Sequence, residues 1–360
     1  MYFFDDNYFE IQKYGVKEGG VARNTAWIRF LKTRRDDVKY VNFKITHRIF
    51  KYLNYLYFWF KCSTIHDEKV FMLYPKVGLP VLGGDWKGKM FRKLFLSCMS
   101  TLKKHNNEVI FDISDIKYEQ AVDLELSGLD MDGMRDFEKR LFSLGQKYVF
   151  ASYSMREYAV KTHGIPMEHT DVCINGGTIR ESSGRSYDAL PGDKLKYVYA
   201  GTLNKGRMIE QMIDVFPDNE KSVLILMGSN GEWINKYLRE IGKKGVRYLG
   251  AFEEWEAREI VSQCDVGVIP YDDTRLYYNI AYPTKLSFYI TAGLPFISTP
   301  VSEVKKVLAK YDIGYMEKLA DWADKVNTLT KEDIETTKQE VKKAMPFFTW
   351  EKIFSDCTFI

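Results

Sequence analysis

The stretch CDVGVIPYDDTRLYYNIAYPTKLSFYITAGLPFISTP, residues 264–300, decides how the chain is read. Val266 to Pro270 is a short continuous apolar run, the pattern of a strand buried on both faces. A polar, tyrosine-rich loop follows, then Pro283-Thr284-Lys285 as a helix start, Gly293 as a stop, and a second apolar run from Phe296. Proline at a helix start and glycine just past its end are the expected punctuation. Strand, helix and strand in this order predict a parallel βαβ unit. The first helical turn has unpaired N–H groups and the positive end of the helix dipole; with Lys285 beside it, this is a predicted anion site.

Working outward, a second turn of the same construction lies upstream. Lys196 to Ala200 (KYVYA) reads as a strand, followed by Gly201-Thr202-Leu203-Asn204-Lys205-Gly206-Arg207 and an amphipathic helix through Phe216. Glycine at a strand end lets the backbone approach a ligand, and Lys205 and Arg207 add charge. Alone, this loop reads equally as an ordinary βα turn. Two such loops in one α/β unit predict a diphosphate guest.

These residues carry a resemblance. Pro283-x-Lys285-Leu286-Ser287-x-Tyr289-x-x-Ala292-Gly293-x-Pro295 resembles the donor-site helix of bacterial GT-B glycosyltransferases. It is most similar to the sugar-nucleotide transferases acting on capsule, O-antigen or adhesin glycans, including glucosyl- and galactofuranosyltransferases. Gly201-Thr202-Leu203, Leu226-Met227-Gly228-Ser229 and Tyr248-Leu249-Gly250-Ala251-Phe252 follow in the same order, so the likeness covers roughly residues 146–300. It implies a donor site of Gly201, Thr202, Lys205, Gly228, Ser229, Ala251, Phe252, Tyr271, Pro283, Thr284, Lys285 and Ser287. It also implies no metal cofactor, since such enzymes meet the leaving diphosphate with helix termini and basic side chains. Many retaining members place two glutamates with seven residues between them around this helix; here those places hold Ile280 and Phe288. Ribose and sugar contacts are then sought in Tyr271, Asp272 or Asp273, and the stereochemical outcome stays open.

At 360 residues the chain has room for two domains, and 45% hydrophobic with 28% charged residues is an ordinary globular balance. A net charge of +3 gives no sign of a nucleic-acid partner. Five scattered cysteines (Cys62, Cys98, Cys173, Cys264 and Cys357) read as reduced thiols of a cytoplasmic protein. MYFFDDNYFE lacks a signal-peptide pattern, and no window of 18 apolar residues predicts a membrane span.

The N-terminal half alternates strands with helices. Strands are read at Tyr2 to Asp5, Tyr40 to Phe43, Val70 to Tyr74, Val109 to Ile113, Tyr148 to Ser152 and Val172 to Asn175. Gly19-Gly20 opens a helix in a loop expected at the cleft. Gly176 to Lys194 is polar and reads as a linker. The fold expected is α/β, GT-B: two doubly wound Rossmann-like domains facing across a cleft. Residues 1–176 bind the acceptor, 195–345 bind the donor, and a last helix near 346–360 packs back on the first domain.

Candidate chemistry in the first half rests on Asp112 and Asp115 of VIFDISD, at a strand's carboxyl end where doubly wound sheets bind ligands. Either is a candidate base toward an acceptor hydroxyl, or a helix cap. Asp5 and Asp6 occupy a similar place. Asp130-Met131-Asp132-Gly133 echoes a calcium loop without its distal glutamate, and His47, His66, His105, His163 and His169 lack zinc spacing. The aromatic segment 45–61 reads first as a buried helix. A second reading is a membrane-surface helix with Tyr55, Phe58 and Trp59 at headgroup level and Arg48, Lys51 and Lys61 toward anionic lipid.

The leading expectation is a cytoplasmic, metal-independent hexosyltransferase. It takes a nucleotide-diphosphate sugar, UDP-linked, and an acceptor that is a glycan, glycolipid or glycoprotein, with peripheral contact to the inner face of the plasma membrane where the acceptor is lipid-linked. Oligomeric state is left open. A catalytically silent GT-B subunit is the alternative, motivated by Ile280 and Phe288. A nucleotide-sugar epimerase would need a carboxylate–histidine cluster that the sequence does not offer.

Overall fold

The computed structural model describes residues 1–5, 19–42, 53–74, 83–144, 146–180, 184–185, 187 and 190–360. The chain divides into two compact units, Met1–Ile174 with Phe354–Ile360, and Asn175–Ile353. Gly176 and Gly177, read as linker, lie in the second: Gly177 bridges Thr349, and a side chain on it would strike Ser287 and Thr291.

The first unit holds six parallel strands in the order β2-β1-β3-β4-β5-β6. These are β1 (Tyr2–Asp5), β2 (Lys39–Asn42), β3 (Lys69–Tyr74), β4 (Glu108–Ile113), β5 (Lys147–Phe150) and β6 (Thr170–Val172). β6 starts and ends earlier than its apolar run suggested, because Asp171, polar in sequence, pairs in register with Val149. β3 and β4 are buried along nearly their whole length, as parallel strands covered on both faces must be. The segment Phe354–Ile360 completes this unit. The Phe354 ring stacks on Trp27 at 3.6 Å and 8°, and Thr358 donates to the Asp171 carboxylate at 2.7 and 2.8 Å.

The second unit holds β7 (Leu195–Ala200), β8 (Ser222–Met227), β9 (Val246–Gly250), β10 (Val266–Ile269), β11 (Phe296–Ser298) and β12 (Gly314–Met316), ordered β12-β11-β10-β7-β8-β9. Three strands run outward on one side of β7 and two on the other, so the order reverses between β7 and β10. Those two strands share only the pairs Val266↔Tyr197 and Gly267↔Val198, then part toward their carboxyl ends. The Tyr289 hydroxyl fills the gap. It donates to Val198 O at 3.0 Å, lies 3.3 Å from Val268 O, and accepts from Ala200 N at 3.1 Å. Gly267 is required beneath it, since a side chain there would enter the Tyr289 ring. Helix Thr284–Thr291 is thereby pinned over the point where the sheet divides.

Candidate functional site

In open α/β sheets the carboxyl-edge crevice at the order reversal is where ligands bind. Gly201, Gly228 and Gly250 line that edge at the ends of β7, β8 and β9, bonded laterally: Gly201 N to Met227 O at 2.9 Å and Gly228 N to Gly250 O at 2.8 Å. Their φ angles of 149°, 145° and 97° lie where side chains are strained. A Cβ on Gly228 would overlap Gly201 O, and one on Gly201 would sit 2.8 Å from Lys285 Cε and 2.9 Å from Nζ. The glycines therefore make a bare backbone floor with an ammonium directly above it.

Lys285 stands at the start of helix Thr284–Thr291, after Pro283, with no side chain capping the first turn. Its Nζ lies 4.6 Å from the Tyr199 ring centroid and 5.7 Å from that of Tyr271. Among the described residues it has no carboxylate within ion-pair distance. Ring faces orient a cation without neutralising it, so the charge remains for an anion. Tyr271 stacks on Tyr278 at 4.9 Å and 25°, and its carbonyl accepts from Thr299 Oγ1 at 2.5 Å. Burial raises the hydroxyls of Tyr199, Tyr271 and Tyr278, and in each case the charge of Arg207 opposes that rise. The Arg207 charge thus lies within electrostatic reach of all three tyrosines.

The other expected residues divide. Thr202 borders the floor, its carbonyl accepting from the Tyr199 hydroxyl at 3.0 Å; Ser229 does so through its carbonyl, which accepts from Leu203 N at 2.8 Å. Ala251 and Phe252 follow Gly250 at the edge strand. Lys205 lies over the Trp233 ring at 5.2 Å, and Arg207 acts electrostatically on the tyrosines. Ser287 is fully buried and shares a 2.7 Å hydrogen bond with Tyr282, so its hydroxyl is spent inside the unit. Asp272 accepts from Thr274 N, Thr274 Oγ1 and Arg275 Nε at 3.0, 2.6 and 3.1 Å, which makes it a loop organiser; Asp273 is exposed. Ile280 is buried and Phe288 faces Arg258 at 4.6 Å, so the two glutamate positions of retaining relatives carry no acid here.

In the first unit Asp112 is 1% exposed, and both oxygens are taken by Arg23, at 2.6 Å from Nη2 and 2.8 Å from Nε. The same guanidinium donates to Cys173 O at 2.7 Å. A carboxylate so buried and ion-paired is held as part of the fold, which speaks against the expectation that Asp112 serves as a base. Asp115 is part-exposed and pairs with Lys117 at 3.1 Å. Gly19 and Gly20 form the first turn of helix Gly19–Arg34, and Asp6 lies outside the described residues. Asp130 is a helix cap accepting from Gly133 N at 3.1 Å and pairing with Arg92. Among the described residues no cluster of His, Cys, Asp or Glu suits a metal ion.

Residues 197–351 match the family model described as Glucosyltransferase 3-like, C-terminal domain. Comparison with curated protein sequences gives no match. Among solved structures, Anabaena HepE in complex with UDP superposes with a TM-score of 0.64 at 12% identity, covering 98% of this chain and 97% of that one. The lipopolysaccharide outer core galactosyltransferase WaaB gives 0.59 at 13%, covering 99% and 97%. WaaG, a glycosyltransferase involved in lipopolysaccharide biosynthesis, gives 0.55 at 13%, covering 84% and 95%. HepE is also seen with UDP-glucose. The chain has the GT-B fold of glycosyltransferases.

Proposed function

Starting from that fold, we propose that the chain is a metal-independent glycosyltransferase moving a sugar from a UDP-linked donor to a glycan, lipid-linked or protein-linked acceptor. The products would belong to bacterial surface polysaccharide or glycoprotein. One observation carries the reading: Lys285, lacking an acidic partner among the described residues, held between two tyrosine faces over the Gly201–Gly228 floor. A diphosphate seated there would accept from the Lys285 ammonium and the free N–H groups of the helix start, with Arg207 supplying a second charge. As the bond to the sugar breaks, negative charge grows on the leaving oxygen, and cations already in place stabilise it most at that moment. The acceptor hydroxyl must lose its proton, and Asp115 is the part-exposed carboxylate of the VIFDISD segment.

The test is a melting-temperature panel of nucleosides, nucleoside diphosphates and their sugars, since a ligand that binds only the folded state raises the midpoint by mass action. UDP and a UDP-sugar should raise it most. A panel with no response would end the donor assignment. Response to UDP without transfer to any acceptor would favour the silent subunit that Ile280 and Phe288 suggest.

A further inference from the structure

Exposed large apolar side chains concentrate on two neighbouring helices of the first unit, Leu53–Thr64 and Trp86–Lys104. Their inward faces interlock through Tyr55 against Phe91 at 3.9 Å and Phe58 against Phe95 at 5.8 Å. Their outward faces are also apolar. Leu56, Trp59 and Phe60 are 62%, 51% and 54% exposed, and Trp86 is 65% exposed with Met90 one turn further on. Large apolar side chains left exposed on two helices packed against each other mark an interaction site.

The charge of the surface says what it meets. Neither helix contains an Asp or Glu, whereas Lys61, Lys87, Lys89 and Lys93 lie on or beside the outward faces. Arg92, the only arginine of the pair, is turned inward and held by Asp130 and by Gly83 O at 3.1 Å. A second copy docking here would set lysines against lysines. A nucleic acid would not call for the leucine and methionine. Aromatic and aliphatic side chains ringed by lysines suit the boundary between anionic headgroups and acyl chains. Neither helix is long and apolar enough to cross a membrane, so contact would be from one side. We propose that this two-helix face docks the protein on an anionic lipid bilayer. The inference stands on the first unit and does not depend on the donor site.

Full-length protein should co-sediment with phosphatidylcholine vesicles that contain phosphatidylglycerol, and poorly with phosphatidylcholine alone. K89Q/K93Q should weaken the association about 25-fold, near fivefold per lysine, and added salt should weaken it further. L56Q/F60Q should abolish it. All four side chains are exposed, so circular dichroism and melting temperature should match the wild type. Wild-type protein that stays in the supernatant would overturn the proposal, as would equal binding to neutral vesicles or unchanged binding by L56Q/F60Q. Self-association in sedimentation velocity that L56Q/F60Q removes would assign the face to a second copy, and would also overturn it.

Discussion

Each unit presents a basic side chain near the carboxyl edge of its sheet, and the two are treated in opposite ways. Arg23 is buried, forked onto Asp112 and bonded to the Cys173 carbonyl. Lys285 is half-buried between tyrosine faces, without a carboxylate partner among the described residues. A charge neutralised inside a fold is part of that fold, because removing its partner leaves it stranded at low dielectric. A charge oriented by ring faces and left unneutralised can still pair with a guest. On the proposed function, the difference separates a structural cation from a binding one.

The sharpest way to break this contrast is Asp112→Asn. Arg23 would then be a buried charge without its counter-ion, and the first unit should lose about 3–5 kcal/mol of stability in denaturant unfolding. A loss under 1 kcal/mol would mean that Arg23 is less enclosed than its contacts indicate.

Glu138 sharpens the comparison from another side, as a buried carboxyl without a cationic partner among the described residues. Burial pushes it up to about 7, against the hydrogen bonds from Tyr74 and from the backbone N–H groups of Lys117 and Tyr118. Its folded pKa stands above the unfolded value, so its contribution is complete below about pH 4.5 and is lost as pH rises through about 7. The fall should total about 3 kcal/mol, and Glu138→Gln should flatten it.

Lys285→Ala should leave stability nearly unchanged and weaken UDP and donor binding by about 1.5–3 kcal/mol, read by calorimetry. Equal losses of stability and affinity would erase the distinction. The smallest expected effect is that of chelation. Transfer rates should hold in EDTA, because Lys285, Arg207 and the helix start supply the positive charge. Loss of activity restored by manganese would place that charge on an ion.

Much of this could be read from local pattern. The strands of the second unit are apolar runs such as VLILMG, and Gly201, Gly228 and Lys285 lie in turns whose chemistry is written within a few residues. What escaped depends on distance along the chain. Arg23 meets Asp112 across 89 positions, so VIFDISD looked like an exposed strand end when it encloses an ion pair. No local pattern assigns a role to the Tyr289 hydroxyl; the ring is buried, and only the parting of β7 from β10 shows why the hydroxyl matters. Ser287 shares a motif with Lys285 but sits two residues on, which turns it to the far side of the helix. Of the aromatic segment 45–61, the described helix covers Leu53 onward. There Tyr55 and Phe58 are core and Trp59 is half exposed, while Arg48 and Lys51 lie outside the described residues.

The stacking of Phe354 on Trp27 also sets a timetable. The polypeptide leaves the first unit at Ile174 and returns at Phe354, after an intervening unit of roughly 180 residues. At ribosomal speeds of about 5–20 residues per second, this interval lasts about 10–40 s. Throughout it the Trp27 ring, one of the largest fully buried side chains of the finished fold, has no Phe354 to cover it. The half of the molecule made first is therefore the half completed last, and a nascent chain stalled anywhere in the second unit would display an unfinished aromatic surface to chaperones and proteases.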